Sequence, residues 1–405
     1  MSPPYDVISE ADQELYYDMS PFNIVRLILG REFPDDHEHN NRYTRARDFL
    51  THWRRDGIFV TDDEPSFYGY SQTFKTASGE RLTRNGFVGA VKIEEFGKGD
   101  IFPHEKTYDA PKSDRLNLLR ATRTQMSTVF MLFSDPEGKS RKEIERVLGG
   151  SELCRFTDRD GVEHALTRVT DPALHKTISK MMADKKIIIA DGHHRYETAV
   201  NFRDEMERAG AMGDGHRYVM AYLSPMEDPG VCVLPTHRVV SLPDGFDRGS
   251  FLKKLENFFT VTVIAPDDRG AFVLIEALEK SGNKHFGLAF GDTMYYLFGL
   301  ADACGIAGFF PSGMADTIKS LDVSILHHVI IDNLLGIEEP KIVYTKDPAI
   351  ASSMIKGEKA VAFFLNPTDI DDVKRVSFSG ERMPQKSTYF YPKVYSGLVL
   401  YRVIP

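Results

Sequence analysis

The ten residues 190–199, ADGHHRYETA, decide how this chain is interpreted. They follow an apolar run, KIIIA at 186–190, which predicts a short buried strand. A helix is expected beyond them, from about 196 to 209, and the apolar segment HRYVMAYLS at 216–224 predicts the next strand. The order strand, turn, helix, strand is typical of α/β folds, and it places an acidic residue and a glycine at the carboxyl end of a buried strand.

The side chains at this strand-to-helix junction favour an anion site. Backbone N–H groups at a helix start attract anions, Gly192 allows a tight turn, and Arg195 can grip a phosphate with two hydrogen bonds. His193 and His194 can donate hydrogen bonds or move protons near neutral pH, and Asp191 can hold Mg²⁺ or a substrate hydroxyl. The alternative is that Asp191 caps the helix and the two histidines are solvated turn residues.

Two further segments place a histidine beside a charged residue. His104 and Glu105 in PHEKT can supply a base or a metal ligand, although Pro103 also predicts an ordinary surface turn. His237 and Arg238 in PTHR follow the apolar strand VCVL, and strand ends are favoured places for ligand groups in α/β sheets. An arginine paired with a surface acid is the alternative at that position.

The first and last parts of the chain add weaker candidates. Lys386, Ser387 and Thr388 in MPQKSTYFYPK can offer a cation and hydroxyls to a phosphate. They do not form a P-loop, because the glycines of GxxxxGK[ST] are absent, and an ordinary strand start is the alternative. Tyr5 and Asp6 in PPYDVIS follow two prolines that stiffen the backbone.

The length of 405 residues predicts two or three domains. The elements indicate a multi-domain α/β (mixed α+β) fold. We expect an N-terminal α/β region at 1–240 with the phosphate site, a smaller α/β module at 241–345, and a C-terminal segment at 346–405 that packs back on the site. Within the module the expected order is α-β-α-β-β. Predicted helices lie at 9–19, 43–57, 113–126 and 171–183, and predicted strands lie at 66–74, 86–96 and 127–135.

A helix predicted from Val323 to Leu335 contains two adjacent histidines, His327 and His328, and ends at Gly336. We expect one histidine to face the core and the other to face solvent, and we assign neither a role.

The composition excludes several classes of protein. The chain has 50 Lys+Arg against 59 Asp+Glu, and the resulting net charge of −9 argues against nucleic acid as a partner. Its three cysteines are odd in number and widely spaced, which suits a reducing cytoplasm better than a disulfide framework. No apolar run approaches the length of a membrane span, so we expect a soluble cytoplasmic protein. Association into a homo-oligomer is left open.

The chain contains six motifs in the order PPYDVIS, HEKT, ADGHHRYETA, PTHR, LDVSILHH and MPQKSTYFYPK. They resemble those of one family of conserved bacterial and archaeal proteins. The family is known as the domain of unknown function number one thousand and fifteen, and the match covers nearly the whole chain. Its members usually carry further residues before PPYDVIS, which starts here at Pro3, so either the start codon lies upstream or the first strand is absent.

The DGHHR segment separately resembles the phosphate-gripping motif of the ParB and sulfiredoxin superfamily. That resemblance implies a ParB/sulfiredoxin-like β-turn-α unit around 186–209, and it carries a phosphate-binding role to Gly192, His193, His194 and Arg195. Some members of the superfamily phosphorylate free serine with ATP or ADP. Genes of the first family often lie beside genes for serine biosynthesis.

The resemblance therefore implies a kinase that transfers a phosphoryl group from ATP or ADP to a small hydroxyl metabolite, most of all free L-serine. Arg195, Arg238 and Lys386 would neutralise phosphate oxygens, and Asp191 or Glu105 would orient Mg²⁺ or accept the hydroxyl proton. The two histidines of the motif would donate to the transferring group.

Two alternatives stay open at this point. A metal-dependent phosphoester hydrolase would use His104, Glu105, Asp191 and His194 as ligands, although the pattern HExxH is absent and the sequence does not identify the metal. A non-enzymatic nucleotide-binding regulator related to ParB would bind DNA, which the negative charge and the lack of a recognisable helix-turn-helix disfavour.

Overall fold

The computed structural model describes residues 1–107, 109–291, 294–355 and 359–403, without the side chains at 109 and 110. It is a mixed α/β structure with several sheets, which confirms the expected fold class. The chain forms two compact units. The first unit contains Met1–Pro103, Thr107–Cys232 and Pro392–Pro405, and the second contains His104–Lys106 and Val233–Tyr391. The domain boundaries expected at 240 and 345 remain predictions.

The first unit is built on a mixed sheet of eight strands in the order β3-β8-β5-β9-β2-β1-β7-β6. β3 is parallel to β8 and β5 is parallel to β9, while the other neighbours are antiparallel. A separate ladder joins β4 to Tyr401–Arg402. The strands of the unit are β1 (Phe67–Lys75), β2 (Arg81–Lys92), β3 (Ile101–Pro103), β4 (Thr124–Gln125), β5 (Val129–Phe133), β6 (Ser151–Thr157), β7 (Glu163–Val169), β8 (Ile187–Asp191) and β9 (Tyr218–Pro225).

Local capping signals account for the starts of three helices of this unit. Ser9 caps α1 through its side chain, Asn41 and Thr44 form a capping box at α3, and Asp171 caps α6 in front of Pro172. The predicted helices are therefore confirmed, with shifted ends. The helices are α1 (Glu10–Met19), α2 (Val25–Ile28), α3 (Arg42–Arg55), α4 (Asp109–Thr122), α5 (Arg141–Leu148), α6 (Pro172–Met182) and α7 (His193–Arg208).

The core of the first unit fixes the end of β8. All five residues of β5 are buried, and the first four residues of β8 are buried beside it. Strands in the middle of a sheet with both faces covered read as continuous apolar runs, which explains the sequence pattern of both segments. Tyr196 on α7 packs into the same core. The start of α7 is therefore held rigidly against the carboxyl end of β8.

The second unit has a six-stranded antiparallel sheet in the order β12-β14-β13-β16-β11-β15. A short ladder pairs β10 with β17. Its core is rich in phenylalanine, including Phe286, Phe298 and Phe363. The strands are β10 (Cys232–Leu234), β11 (His237–Ser241), β12 (Phe259–Ile264), β13 (His285–Ala289), β14 (Tyr295–Leu300), β15 (Ile342–Thr345), β16 (Ala360–Leu365) and β17 (Tyr389–Tyr391).

The helices of the second unit confirm the α-β-α-β-β order expected after residue 243. The helix expected at 323–335 begins instead at Asp322 and becomes a π-helix from Ile325 to Leu334, with an i→i+5 bond from Leu335 N–H to Ile330 O (2.8 Å). Among the helices that the structure describes, none is both long enough and apolar enough to cross a bilayer. The α-helices are α8 (Arg248–Glu256), α9 (Phe272–Ser281), α10 (Asp316–Lys319), α11 (Asp322–Ser324), α12 (Pro348–Met354) and α13 (Ile370–Phe378).

Candidate functional site

The turn between β8 and α7 consists of one residue, Gly192. Its φ of 96° and ψ of 30° lie in the left-handed region, which glycine adopts at little cost. The helix therefore begins at His193, three residues before the expected start at Tyr196, and its first bond runs from Tyr196 N–H to Gly192 O (3.0 Å). The histidines and Arg195 thus belong to the first helical turn, whose N–H groups have no acceptor within the helix. This arrangement suits an anion.

Asp191, the last residue of β8, is held between two cations. Lys393 Nζ lies 2.5 Å from one carboxylate oxygen, and the Arg195 guanidinium donates to the other. The three side chains are only 16%, 11% and 10% exposed, respectively. Burial alone would raise the pKa of Asp191, but the charges of Lys393 and Arg195 outweigh it and hold that pKa well below its usual range. Such a carboxylate is a weak proton acceptor, and its contacts favour a positioning role.

Arg195 is fixed in place by three contacts. One of its nitrogens donates to Thr128 O, another donates to Asp191, and the guanidinium lies over Gly192. A Cβ atom at position 192 would lie 2.9 Å from Arg195 Cζ, closer than real Cβ contacts occur. Position 192 therefore requires glycine both for its backbone conformation and for the arginine above it.

Tyr5 and Asp6 lie in the same unit as this junction, in a short 3₁₀ turn. The Arg115 guanidinium stacks on the Tyr5 ring at 3.9 Å and donates to Ile28 O (2.6 Å). Burial raises the pKa of Tyr5 to about 12, with Asp6 adding to the rise while Arg115 and Arg195 oppose it. Tyr5 is therefore within electrostatic reach of Arg195, and Asp6 beside it is exposed.

A small cavity of about 60 Å³ adjoins the start of α7. Arg115, Arg195, Ser127 and Thr198 are among the residues that line it. The Thr198 hydroxyl is buried and has no hydrogen-bond partner within the described part of the chain. The cavity is large enough to hold water beside this hydroxyl.

The two histidines of the motif differ in environment. His193 is buried, and its charge when protonated helps to lower the pKa of Asp191. His194 is half-buried. One turn later, Glu197 accepts a hydrogen bond from Thr107 (2.7 Å) and pairs with Lys112 (3.2 Å). The second turn of the helix therefore carries a carboxylate that is already paired.

In the second unit, the segments PHEKT and MPQKST meet. His104 is fully buried, and its Nε2 lies 2.8 Å from Thr388 Oγ1. Glu105 accepts a hydrogen bond from Lys386 N–H (2.8 Å). Lys386 has a φ of 57°, an uncommon conformation for a residue other than glycine, and Ser387 is buried next to it. Five predicted candidates therefore lie together: His104, Glu105, Lys386, Ser387 and Thr388.

His237 and Arg238 follow β10 by two residues, as expected from the sequence, and they are the first residues of the next strand. That strand is β11, where they pair with β15. Burial lowers the pKa of His237 to about 4, so this imidazole is neutral at pH 7. Its Nδ1 accepts a hydrogen bond from Leu365 N–H (3.4 Å).

Arg238 is a buried cation. Arg238 is only 3% exposed, and its guanidinium donates hydrogen bonds to Thr236 O and to Lys386 O (3.2 Å). The Tyr344 ring lies 5.7 Å from the guanidinium. Within the residues that the structure describes, no Asp or Glu pairs with Arg238. Burial lowers its pKa to about 10. A buried charge without a counter-ion is costly, which marks this position as a candidate anion site.

Sequence reasoning missed several cations and rings. Lys393 ends the motif MPQKSTYFYPK but lies 202 residues from its partner Asp191, so no local pattern links the two. Lys346 Nζ lies 5.1 Å from the Tyr389 ring centre and 4.8 Å from that of Tyr391. The clustering of tyrosines with lysines in this motif was the available signal.

The described residues contain one group of three ligand-type side chains close enough to share a metal ion, and it consists of His327, His328 and Asp332. None of the four ligands expected for a phosphoester hydrolase belongs to it. The prediction for the adjacent histidines was wrong: both are half-buried, because the π-helix turns both toward Asp332.

Several solved structures resemble this chain at low identity. A mutant free serine kinase in complex with ADP shares 13% identity, covering 82% of this chain and 91% of that chain, with a TM-score of 0.36. A conserved hypothetical protein from Pyrococcus furiosus shares 15%, covering 75% and 92%, with a TM-score of 0.35. SbnI from Staphylococcus aureus, truncated at its C-terminus, shares 9%, covering 76% and 84%, with a TM-score of 0.37.

A search of curated proteins found no match. A family model does match, and it covers residues 1–324, which include four of the six motifs in full and the first four residues of LDVSILHH. The chain therefore belongs to the family described as "Protein of unknown function (DUF1015)".

Proposed function

We propose that this protein transfers a phosphoryl group between ADP or ATP and a small hydroxyl metabolite, with L-serine as the first candidate acceptor. One observation carries the proposal: a left-handed Gly192 opens α7 with Arg195 and Lys393 fixed beside its first turn. The choice of ADP or ATP and of L-serine rests on the motif resemblance, whereas the geometry supports only the phosphate site.

Phosphoryl transfer requires positioning and charge neutralisation more than covalent chemistry. The N–H groups of the first turn of α7 can bind phosphate oxygens, and the helix dipole favours a negative charge there. Arg195 has five N–H donors, of which the contacts with Thr128 and Asp191 use one each. The remaining donors can bind a phosphate without breaking these contacts.

The carboxylates divide between positioning and proton transfer. Asp191 does not fit a Mg²⁺ ligand, because a cation already occupies each of its oxygens. We assign it to holding Arg195 and Lys393 in place, and Mg²⁺ would be bound by the phosphates of the nucleotide. Asp6, exposed beside Tyr5, is the candidate that accepts the proton of the acceptor hydroxyl.

The experiment that tests this function is a product search. The protein is incubated with Mg²⁺, ADP or ATP, and a pool of hydroxyl metabolites that includes L-serine, and mass spectrometry follows new phosphorylated products. We expect O-phosphoserine to form with the wild type and with Arg208→Ala, an exposed position on the same helix, and to be lost with Arg195→Ala. Absence of any phosphorylated product together with absence of nucleotide binding would overturn the proposal.

In the second unit, we assign Arg238 to the carboxylate or phosphate of a ligand. Replacing buried charged groups by apolar side chains of similar volume is often neutral or stabilising when no partner charge is left behind, and Arg238 has no carboxylate partner among the described residues. Arg238→Met is therefore expected to leave the melting temperature unchanged or higher, while inorganic phosphate, used as a probe of an anion site in this unit, binds at least about tenfold more weakly in calorimetry.

The matched control is Arg375→Met, which removes an exposed arginine of the same unit that pairs with Asp372. It should change neither the binding nor the melting temperature appreciably. If Arg238→Met unfolds the protein at lower temperature and binds the ligand like the wild type, Arg238 has a purely structural role.

A further inference from the structure

His327, His328 and Asp332 form a compact group of nitrogen and oxygen ligands on the π-helix. His328 Nδ1 lies 3.1 Å from Asp332 Oδ2, and His327 Nε2 lies 3.9 Å from the same oxygen. One ligand atom from each residue lies within 4.8 Å of the other two. The proposed phosphoryl transfer assigns no task to these residues.

The π-helix brings the three side chains together. In an α-helix with 3.6 residues per turn, residues five apart point about 140° away from each other, so His327 and Asp332 would lie on different faces. The i→i+5 bonding of a π-helix places residue i+5 above residue i instead. The π-helix is rare in proteins and is frequently found at functional sites.

The surroundings hold this geometry. The opposite side of the helix is packed into the core through residues such as Ile325, Val329 and Ile330. Asn333 Nδ2 donates to His328 O (2.6 Å), which satisfies a carbonyl at the irregular turn. The Phe310 ring packs edge-on against His328, with ring centres 6.2 Å apart. The histidines therefore cannot spread apart freely, and the group is organised before any ion arrives.

We propose that His327, His328 and Asp332 bind a divalent first-row transition ion such as Zn²⁺. A site with two imidazole nitrogens and one carboxylate oxygen binds such ions in preference to Mg²⁺ or Ca²⁺. Bonds of about 2.0–2.1 Å in a tetrahedral site separate the ligand atoms by about 3.3 Å, so only small side-chain movements are needed. Three protein ligands leave a fourth position for water or a ligand.

The competing explanation for the closeness of these side chains is a hydrogen bond alone, in which Asp332 accepts from His328 along the helix. Metal binding separates the two explanations. The metal-free full-length protein is titrated with Zn²⁺ in a calorimeter and with Co²⁺ in a spectrophotometer, where a tetrahedral site gives intense visible absorption. We expect one ion per chain.

His328→Ala and Asp332→Asn should each weaken Zn²⁺ binding by at least about tenfold and abolish the Co²⁺ absorption, since even residues behind the ligands change metal affinity by that factor. Asp332 is exposed, and Asn keeps its hydrogen-bonding shape, so the second variant tests the site even if the first folds poorly. The control is His39→Ala, which removes an exposed histidine beside His37 in the first unit.

His39→Ala should retain the wild-type affinity and spectrum. Equal affinity in the wild type and in Asp332→Asn, or binding that is lost only in His39→Ala, would overturn the metal site. Binding of ADP is measured on the same samples. A lost metal site with unchanged ADP binding supports a metal site that is independent of the phosphate site at α7, and ADP binding that fails in the wild type leaves the metal result standing.

Discussion

Arg195→Ala is expected to weaken the binding of ADP or ATP by at least tenfold. A charge-assisted hydrogen bond contributes about 1.5 to 3 kcal/mol, which corresponds to roughly 10- to 150-fold in affinity. The guanidinium sits over Gly192 and beside the first turn of α7, so its removal leaves the helix N-terminus without its adjacent arginine. Isothermal titration calorimetry at fixed salt measures the loss.

Two companion variants separate charge from geometry. Arg195→Lys keeps the charge but cannot span Thr128 O and Asp191 with one planar group, so an intermediate loss of affinity is expected. Arg208→Ala removes an exposed arginine at the other end of α7 and should bind nucleotide like the wild type. If a folded Arg195→Ala protein binds nucleotide with wild-type affinity, the phosphate site at the start of α7 is contradicted.

Hydrophobic periodicity was sufficient for most of the fold. The strands β5 and β8 and the helices α1 and α6 were predicted, because burial and amphipathic spacing leave local patterns. The start of α7 was placed three residues late. The motif's adjacent histidines read as turn residues, but Gly192 turns the chain in one residue and the helix follows at once.

The partners within the site were harder to predict than the motif itself. Asp191 and Arg195 share one helix-length segment, whereas Lys393 reaches Asp191 from the far end of the chain. Such a pairing depends on tertiary packing and leaves no spacing signal in a single sequence. The isolation of Arg238 is also a property of the folded state, because only the structure shows that no carboxylate of the described residues reaches it.

The π-helix is a second feature that the sequence pattern did not predict. The segment LDVSILHH has the apolar pattern of a helix, so a helix was predicted correctly at 323–335. A pattern search assumes 3.6 residues per turn and therefore sends His327 and His328 to different faces. The i→i+5 bonding of the π-helix, which brings His327 near Asp332, leaves no mark in the hydrophobic pattern.

Asp191→Asn is expected to be the most destabilising of these changes. It leaves Arg195 and Lys393, both nearly buried, without the anion between them. Breaking a buried ion pair by removing one partner costs about 3–5 kcal/mol. For a unit of this size, each kcal/mol shifts the melting temperature by about 2–4 °C, so we expect a fall of roughly 10 °C at pH 7.

The pH dependence of stability tests the same residue in the wild type. Because the pKa of Asp191 is lower in the folded state than in the unfolded chain, its contribution is fully present above the unfolded value of about 3.9. That contribution is lost progressively as the pH falls below that value, so the gap in melting temperature between wild type and Asp191→Asn should narrow from pH 7 to pH 3. Asp204→Asn, which removes an exposed carboxylate of α7, should show at most a small gap at either pH. A gap for Asp191→Asn that is small at pH 7, or that does not narrow in acid, would show that the two cations do not depend on this carboxylate.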